Sequence, residues 1–307
     1  MKLLLVGDLH LRASTPRCRV EEDFTKVCMD KLGQIREIAK DADITLQAGD
    51  FFHVARPDNG LLAKTIKESS RMYAIFGQHD LPYHSLKAKN RSALAVLEAA
   101  GAVQLLGEEP KAMGYEVALF GASYGEEIPI PYPDGFNVLV THRMVGDKEI
   151  YGGQEGFTTP EQLLDENPGY KLILVGDYHY PFTFEKNGRY VINAGCVFRT
   201  TTDNRVMEHQ PKVVMVETDD HANKIEKVTD ILLDVGSVDE VYKPDNKIVS
   251  EERASFLDMI SKMKDKGSVG VSFMDNLLEY YAMNEISKEI RDIIGSVVYN
   301  KDEETDE

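Results

Sequence analysis

The sequence predicts an α/β protein that is built around a sheet with helices on its faces. Three apolar stretches near the N-terminus, at 2–6, 43–48 and 71–76, have the length and composition of buried strands. Amphipathic helical patterns follow the first two, over about 20–40 and about 57–70. Because strands that alternate with helices form sheets covered by those helices, we expect this order to continue along the chain.

Further strands and short helices follow in the next part of the chain. Helices are expected at about 90–100 and at 158–165. An alternating stretch at 183–192 contains the dipeptide Asn187-Gly188, which predicts a hairpin. Strand-like segments are expected at 103–106, 115–121, 136–140, 170–175 and 212–217.

The sequence pattern changes after the last of these strands. A strand-like segment at 224–233 precedes helical patterns at about 252–264 and 274–298, and an acidic run follows them. We therefore expect a main domain at 1–218, a C-terminal capping and partner-binding region at 219–300 and an acidic tail at 301–307.

The charge and the cysteines limit the classes of function. The 307 residues carry a net charge of −17, which argues against a surface coated with basic residues for unspecific binding of nucleic acid. A nucleic-acid substrate is still compatible with this charge, because divalent cations in a site can supply positive charge to phosphates. The number of cysteines is odd, and their spacing is not paired; they are Cys18, Cys28 and Cys196. This favours reduced thiols over disulfides or a cysteine zinc site.

The sequence shows no pattern of a membrane protein. Its apolar runs are well below the roughly 20 residues that cross a bilayer, and the mean hydropathy is −0.32. The apolar run before Gly7 is too short for the core of a signal peptide. We therefore expect a cytoplasmic protein, or one in the host cytoplasm if it is phage-encoded.

Side chains that can bind metal ions follow five of the apolar strands. Asp8 and His10 follow the first, and because positions i and i+2 of an extended segment point the same way, both can face one ion. The other strand ends carry Asp50, Gln78 with His79, His142, and Asp177 with His179. Mixed Asp and His ligands suit Mn²⁺, Fe²⁺ or Zn²⁺, and two ions that share a carboxylate can hold a phosphoryl group between them. These strand ends therefore predict a dinuclear phosphoester hydrolase.

The order of these motifs resembles that of a known family. The motifs are Gly7-Asp8-Leu9-His10, Gly49-Asp50, Gly77-Gln78-His79-Asp80, Thr141-His142 and Gly176-Asp177-Tyr178-His179. The series is similar to that of the calcineurin-like metallophosphoesterases and covers residues 1 to about 200. The resemblance implies an α/β fold of two sheets packed as a sandwich and flanked by helices, with a small C-terminal α/β cap and a helical tail. It also implies a metal-dependent phosphodiesterase.

The resemblance implies a role for each residue of the motifs. One divalent ion would be held by Asp8, His10, Asp50 and His179, with Asp50 bridging to a second ion that Gln78, His142 and Asp177 complete. His79 would be the catalytic histidine, Asp80 the acidic residue that orients its ring, and His53 a residue that helps to position a DNA strand. Manganese is the expected metal, with magnesium, iron or zinc as alternatives.

Two further stretches resemble one branch of this family, the SbcD-type nucleases. They are 49–53, with the sequence Gly-Asp-Phe-Phe-His ahead of Pro57, and 193–196, with Arg199 and Glu208 after it. Nucleases of this branch are the exonuclease subunits of a double-strand-break repair complex. The resemblance implies an exonuclease or endonuclease that acts on DNA in repair and recombination, an SbcC-type SMC-like ATPase bound through the C-terminal helices, and a homodimer.

Gln78 and Asp177 depart from the family pattern, which has asparagine and histidine at these positions. The extra methylene of Gln78 moves its ligand oxygen by about a bond length, and metal sites tolerate errors of only about 0.2 Å. Asp177 replaces a nitrogen by a charged oxygen, which favours Mn²⁺ or Mg²⁺ over Zn²⁺. Both changes fall on the second ion, which is therefore either retuned or weakly bound until substrate is present.

Two other functions are compatible with the same residues. A small-molecule phosphatase or a cyclic-nucleotide phosphodiesterase would use the same chemistry; the net charge supports it mildly, and the 49–53 stretch opposes it. A binding or scaffolding protein with a degenerate site would account for Gln78 and Asp177 together. The metal content of the protein separates this last class from the enzymes.

Overall fold

Two six-stranded sheets lie at the centre of the fold. The structure, a computed structural model, describes residues 1–69, 71–113, 117–147, 157–202, 204–219, 221 and 223–243. The chain divides into two units, and all of these residues belong to the first, Met1–Glu251. The predicted helices at 252–264 and 274–298 and the acidic tail at 301–307 lie outside the described residues.

The first sheet supplies three of the five strand ends of interest. It contains β1 (Lys2–Val6), β2 (Ile44–Gln47), β3 (Met72–Ala74), β4 (Val103–Leu105), β11 (Lys212–Thr218) and β12 (Ile225–Leu232). The order across the sheet is β12-β11-β1-β2-β3-β4. The strands β1 to β4 run parallel, whereas β11 and β12 are antiparallel to their neighbours. The carboxyl ends of β1, β2 and β3 therefore lie at the same edge.

The second sheet supplies the other two strand ends. It contains β5 (Lys111–Met113), β6 (Val117–Ala122), β7 (Phe136–Arg143), β8 (Leu172–Asp177), β9 (Phe182–Lys186) and β10 (Arg189–Asn193), in the order β5-β6-β7-β8-β10-β9. The four inner strands run parallel, and each edge strand is antiparallel to its neighbour. The strands β9 and β10 form the predicted hairpin, because Asn187 and Gly188 both adopt the positive φ that its tight turn requires.

Helices cover the outer faces of the sheets. They are α1 (Phe24–Ala39), α2 (Asn59–Glu68), α3 (Ala93–Ala99) and α4 (Pro160–Glu166). Two short helices, α5 (Asn204–Glu208) and α6 (Val238–Val241), contribute Met207 and Val241 to a separate small apolar cluster. The first four begin after a capping side chain, from Asp23, Asp58, Ser92 and Thr159, that accepts a backbone hydrogen bond in the first turn. Among the described residues, no helix has the length and apolar composition of a membrane span.

Apolar side chains pack in three layers around the two sheets. Leu3 and Leu5 of β1 pack in the layer between the sheets, and Leu4 and Val6 pack against the helices on the other face, as the alternation of a strand requires. Leu164 of α4 packs on the outer face of the second sheet. This arrangement confirms the predicted α/β fold of two sheets packed as a sandwich and flanked by helices.

The structure differs from the predicted elements in a few places. The strand β12 pairs with β11 along its length, so the first sheet continues beyond residue 218; the division at 218 and 219 stays a prediction. The helix α1 starts later than expected because Asp23 caps it. The elements β5, α5 and α6 were not predicted, since each has only three to five residues and no apolar period.

The three cysteines are buried and reduced, which leads to a first prediction. Burial raises the pKa of Cys28 and of Cys196 to about 12, and burial also raises the pKa of Cys18. A thiol reagent at about pH 8 is therefore expected to modify none of them in the native chain and all three after denaturation. Mass spectrometry counts the adducts. Rapid modification of Cys28 in the native protein would contradict the burial.

Candidate metal centre

The segments that follow β1, β2, β3, β7 and β8 lie together at one edge of the sandwich. The backbone N–H of His10 donates to the carbonyl oxygen of Asp50 at 2.8 Å, which joins the ends of β1 and β2. The N–H of Asp177 donates to Oδ2 of Asp8 at 3.1 Å, which joins the second sheet to the first. Residues far apart in sequence therefore share one site.

Three of the predicted ligands hold a backbone conformation that is rare for residues with a side chain. The φ angle is 42° for His10, 48° for Asp50 and 80° for Asp177, all in the left-handed region. Such conformations cost about 1–3 kcal/mol each and persist where the surrounding structure enforces them. The turns at these strand ends therefore place the three side chains at a cost in local stability.

Asp8, His10 and His179 form a group that could hold one metal ion. One ligand atom from each residue lies within 4.8 Å of the other two. The Nε2 atoms of His10 and His179 are 3.0 Å apart, and Nε2 of His179 is 3.8 Å from Oδ2 of Asp8. Two imidazole nitrogens that face each other beside a carboxylate are a donor set for a divalent cation.

Asp50 lies between this group and His142. Its Oδ2 is 3.5 Å from Nε2 of His10 and 3.5 Å from Nε2 of His142. Its Oδ1 accepts the backbone N–H of His79 at 2.8 Å, which fixes the orientation of the carboxylate. A carboxylate that faces imidazoles on two sides can bridge two ions, which is the role that the resemblance implies for Asp50.

The residues predicted for the second ion are also close together. His142 is paired with Gly176 across β7 and β8, which places Asp177 at the next position of the neighbouring strand. The Nδ1 atom of His142 lies 2.7 Å from the carbonyl oxygen of Ala48, so its Nε2 is the nitrogen that faces Asp50. The Nε2 atom of Gln78 donates to Oδ1 of Asp177 at 2.7 Å.

Unpaired buried atoms show that these residues fit a metal. Within the described ranges, five atoms of predicted ligands are buried without a hydrogen-bond partner: Oδ1 of Asp8, Nδ1 of His10, Oδ2 of Asp50, Oε1 of Gln78 and Nε2 of His142. Buried polar atoms in proteins are nearly always paired. A concentration of unpaired oxygen and nitrogen atoms in one place is therefore the mark of a cation site.

The pKa shifts of Asp8, His10 and His179 also favour a bound cation. Burial raises the pKa of Asp8 well above its ordinary value, and the nearby charges of Asp50 and Asp177 add to this effect. Burial lowers the pKa of His10 and of His179, so both rings are neutral at pH 7, which is the form that binds metals. A divalent cation would relieve the repulsion between the carboxylates.

His142 and Asp50 shift each other's pKa in opposite directions. Burial would lower the pKa of His142, but the charges of Asp50 and then Asp8 outweigh it and raise the pKa to about 10. Burial would raise the pKa of Asp50, but the charge of His142 holds it well below its ordinary value. Because a histidine binds metal only in its neutral form, a cation at His142 would compete with a proton for this nitrogen.

Gly176 allows β8 to approach the site closely, which leads to a second prediction. A Cβ atom at this position would lie 2.4 Å from the carbonyl oxygen of Ala48, 2.6 Å from Oδ1 of Asp8 and 2.7 Å from Nδ1 of His142. Gly176→Ala is therefore expected to lower the free energy of unfolding by about 1–3 kcal/mol and to weaken metal binding. Urea denaturation and metal analysis measure both effects.

The matched control is Gly33 in the middle of α1. A Cβ atom at Gly33 meets nothing within 4 Å. Gly33→Ala is expected to raise the free energy of unfolding by about 0.5–1 kcal/mol, because alanine loses less backbone entropy in a helix. If the two variants had equal stability and metal content, the close packing at Gly176 would be disproved.

His79 and His53 lie beside the first group of ligands. Their rings stack with centroids 5.3 Å apart and an interplanar angle of 17°, and Nδ1 of His79 lies 2.9 Å from the carbonyl oxygen of His53. Nitrogens of His10, His53 and His79 also lie within 4.8 Å of one another. Three imidazoles without a carboxylate can themselves hold a zinc ion; it is the resemblance that implies a place on the substrate side of the site for His53 and His79.

The carboxylate of Asp80 contacts the backbone of neighbouring loops. It accepts hydrogen bonds from the backbone N–H groups of Phe51, Phe52 and Gly77 at 3.0–3.1 Å. The group that orients the His79 ring is the carbonyl of His53. Asp80 therefore holds the loops after β2 and β3 together, and it acts on His79 only through the backbone.

Two supporting features were not assigned from the sequence. Gln47 is buried, and its Nε2 donates to the carbonyl oxygens of Gly7 at 3.2 Å and Gly49 at 2.5 Å, which joins the first two motifs. The backbone N–H of Cys196 donates to the carbonyl oxygen of His179 at 3.1 Å. A polar residue at the end of an apolar strand was the available signal for Gln47, whereas no local pattern marks the Cys196 contact.

A two-sheet sandwich with Asp and His side chains collected at its strand ends defines a metal-dependent phosphoesterase. The chain belongs to the calcineurin-like phosphoesterase superfamily, because the model of the calcineurin-like phosphoesterase superfamily domain matches residues 1–221. This superfamily uses dinuclear metal sites for hydrolysis. The cluster of His and Asp described above is capable of binding metal.

One curated relative and two solved structures illustrate the similarity. The chain is 25% identical over 224 residues to the DNA double-strand break repair protein Mre11 of Haloferax volcanii; the match covers 66% of this chain and 47% of that protein, so the chain spans about half of its length. A putative 5′-nucleotidase from Staphylococcus aureus has 13% identity and a TM-score of 0.49 over 84% of this chain and 58% of its own. An archaeal phosphodiesterase has 13% identity and a TM-score of 0.40 over 76% of this chain and 100% of its own. Likeness at these TM-scores identifies neither a substrate nor an activity.

Proposed function

We propose that the protein is a metal-dependent DNA nuclease of the SbcD type that acts in DNA repair and recombination. The observation that carries the proposal is the position of His53. The ring of His53 stacks on that of His79, its centroid is 5.8 Å from that of the His10 ring, and the resemblance implies that His53 faces the substrate. A residue at this position can contact a phosphodiester strand that the metal centre holds.

The curated relative supports the same substrate. It is named a DNA double-strand break repair protein, and its match with this chain extends over 224 residues. The stretch 193–196, which also resembles the SbcD branch, is in contact with the ligand-bearing segments through Cys196 and His179. Both stretches that resemble this branch therefore belong to the site.

Some residues of the site would bind the metal ions, and His79 would act on the substrate. Two divalent cations, with Mn²⁺ as the expected metal, would supply Lewis-acid stabilisation of the phosphoryl oxygens. Asp8, His10, Asp50 and His179 would hold the first ion, and Asp50, His142 and Gln78 the second. The Nδ1–H of His79 donates to the His53 carbonyl, so Nε2 is the nitrogen left for substrate; in the doubly protonated ring it would donate a proton to the leaving oxygen or a hydrogen bond to the phosphate.

The test is a nuclease assay together with metal analysis of the same sample. Single- and double-stranded DNA labelled at the 3′ or the 5′ end is incubated with the full chain and Mn²⁺, Mg²⁺, Fe²⁺ or Zn²⁺. We expect degradation of labelled DNA with Mn²⁺ and about two ions per chain. If the protein hydrolysed a small phosphodiester well but left both DNA substrates intact, the DNA assignment would be wrong.

The alternative is a small-molecule phosphatase or cyclic-nucleotide phosphodiesterase with the same metal centre. The observation in its favour is the net charge of −17, because an acidic protein repels a polynucleotide more strongly than a small phosphate. The assay above separates the two enzymes. A chain that bound no ions would instead favour a scaffold with a degenerate site.

We also propose partners on the basis of the resemblance. They are DNA, an SbcC-type SMC-like ATPase that binds the helices expected within the 219–300 region, and a second copy of the chain in a homodimer. The support is the apolar pattern of 274–298, with Leu278, Ile286 and Ile290 on one side. Deletion from Glu252 onward is expected to abolish binding of the ATPase and to leave the metal content unchanged. Retained binding would place the docking surface elsewhere.

A further inference from the structure

The two positions that depart from the family pattern are in direct contact. The Nε2 atom of Gln78 donates to Oδ1 of Asp177 at 2.7 Å, across 99 positions of sequence and between the two sheets. The resemblance pairs a shorter amide with a larger ring at these positions. Here a longer amide is paired with a smaller carboxylate, so one change in size compensates for the other.

This contact determines which atom of Gln78 faces Asp177. An ionised carboxylate can only accept hydrogen bonds, so the nitrogen of the amide must face Asp177. The other end of the amide, Oε1, is then turned away from Asp177. It is buried without a hydrogen-bond partner among the described residues, like Oδ2 of Asp50 and Nε2 of His142.

We propose that Gln78 and Asp177 act as one unit, in which Asp177 is a positioning residue that turns Oε1 of Gln78 toward the second ion. The second ion would then have two kinds of oxygen donor, the Gln78 amide and the Asp50 carboxylate, and a single nitrogen donor, from His142. Oxygen donors suit Mn²⁺ and Mg²⁺, whereas added imidazole suits Zn²⁺. The inference rests on the metal centre of the proposed function and not on its DNA substrate.

Four variants of the full chain test the unit: Gln78→Asn, Asp177→His, the combination of both, and Asp177→Asn. Titration calorimetry and metal analysis measure the binding of Mn²⁺ and of Zn²⁺, and neither measurement depends on enzymatic activity. Each of the first two changes alone is expected to weaken Mn²⁺ binding at the second position by about tenfold or more. The combination is expected to bind two ions again and to prefer Zn²⁺, so the two effects are not additive.

Asp177→Asn separates a positioning residue from a direct ligand. The asparagine keeps the size and an acceptor oxygen for Gln78 but loses the charge. We expect its Mn²⁺ affinity at the second position to stay within a few-fold of that of the parent chain. A loss as large as that of Asp177→His would make Asp177 a direct ligand and would overturn the positioning role.

Circular dichroism confirms that each variant is folded before the affinities are compared. If the losses from Gln78→Asn and Asp177→His simply multiplied in the combination, the two residues would not be a unit. If the parent chain itself bound no ion, the metal centre and the proposed function would fail together. If the parent bound two ions but the affinity losses of Gln78→Asn and Asp177→His were additive, the metal centre would stand and only the Gln78–Asp177 unit would be overturned.

Discussion

Replacing His79 with alanine is expected to lower the turnover of phosphodiester hydrolysis by about 10²–10⁴-fold and to leave both ions bound. The reason is geometric. The Nδ1 atom of His79 is engaged by the His53 carbonyl at 2.9 Å, and the ring stacks on His53 rather than joining the carboxylate ligands. The backbone N–H of His79, which orients Asp50, is unaffected by the change. Steady-state kinetics and metal analysis on one preparation measure both quantities.

The control for this variant is His221→Ala. His221 is exposed in the connection between β11 and β12, so the same change of side chain is made on the surface. We expect its turnover and metal content to match those of the parent. If His79→Ala lost an ion, the group of His10, His53 and His79 would be a metal site, and the assignment of His79 to the substrate side would be wrong.

Asp50→Asn is expected to remove both ions and with them the activity. Oδ2 of Asp50 is 3.5 Å from an imidazole nitrogen on each side, so its charge serves two cations at once. Asparagine keeps the shape and an acceptor for the N–H of His79, and the fold is therefore expected to persist. Metal analysis should fall from about two ions per chain toward none.

Variants of the neighbouring histidines show whether the Asp50 carboxylate binds both ions. His142→Ala is expected to lose the second ion only, and His10→Ala chiefly the first. If Asp50→Asn lost no more metal than His142→Ala, the carboxylate would belong to one ion and would not bridge. The same result would remove the physical basis for a phosphoryl group held between two cations.

The site could be predicted largely because its residues follow apolar strands directly. Asp8 and His10 stand two positions apart after β1, and Asp177 and His179 stand two positions apart at the end of β8. The left-handed backbone of His10 and Asp177, which the sequence did not predict, sets where their side chains point. The local sequence also predicted the helices with long amphipathic patterns. The arrangement of the strands in two sheets depended on the resemblance to the family and not on composition or periodicity.

The contacts that could not be predicted are those between distant loops. An aspartate after His79 could orient the ring or bind backbone N–H groups, and the choice depends on Phe51 and Phe52, which are 29 and 28 positions from Asp80. The hydrogen bond of Gln78 to Asp177 spans 99 positions and has no local signal. Tertiary packing determines such contacts, and the sequence carries no local sign of them.

The central claim is that this edge of the sandwich holds two ions with Asp50 between them. Diffraction at the manganese absorption edge, from a crystal of the full chain grown with Mn²⁺, tests it most directly. We predict two anomalous peaks about 3.5–4 Å apart on either side of Oδ2 of Asp50. A single peak, two peaks that do not share Asp50, or no peak at these strand ends would contradict the account.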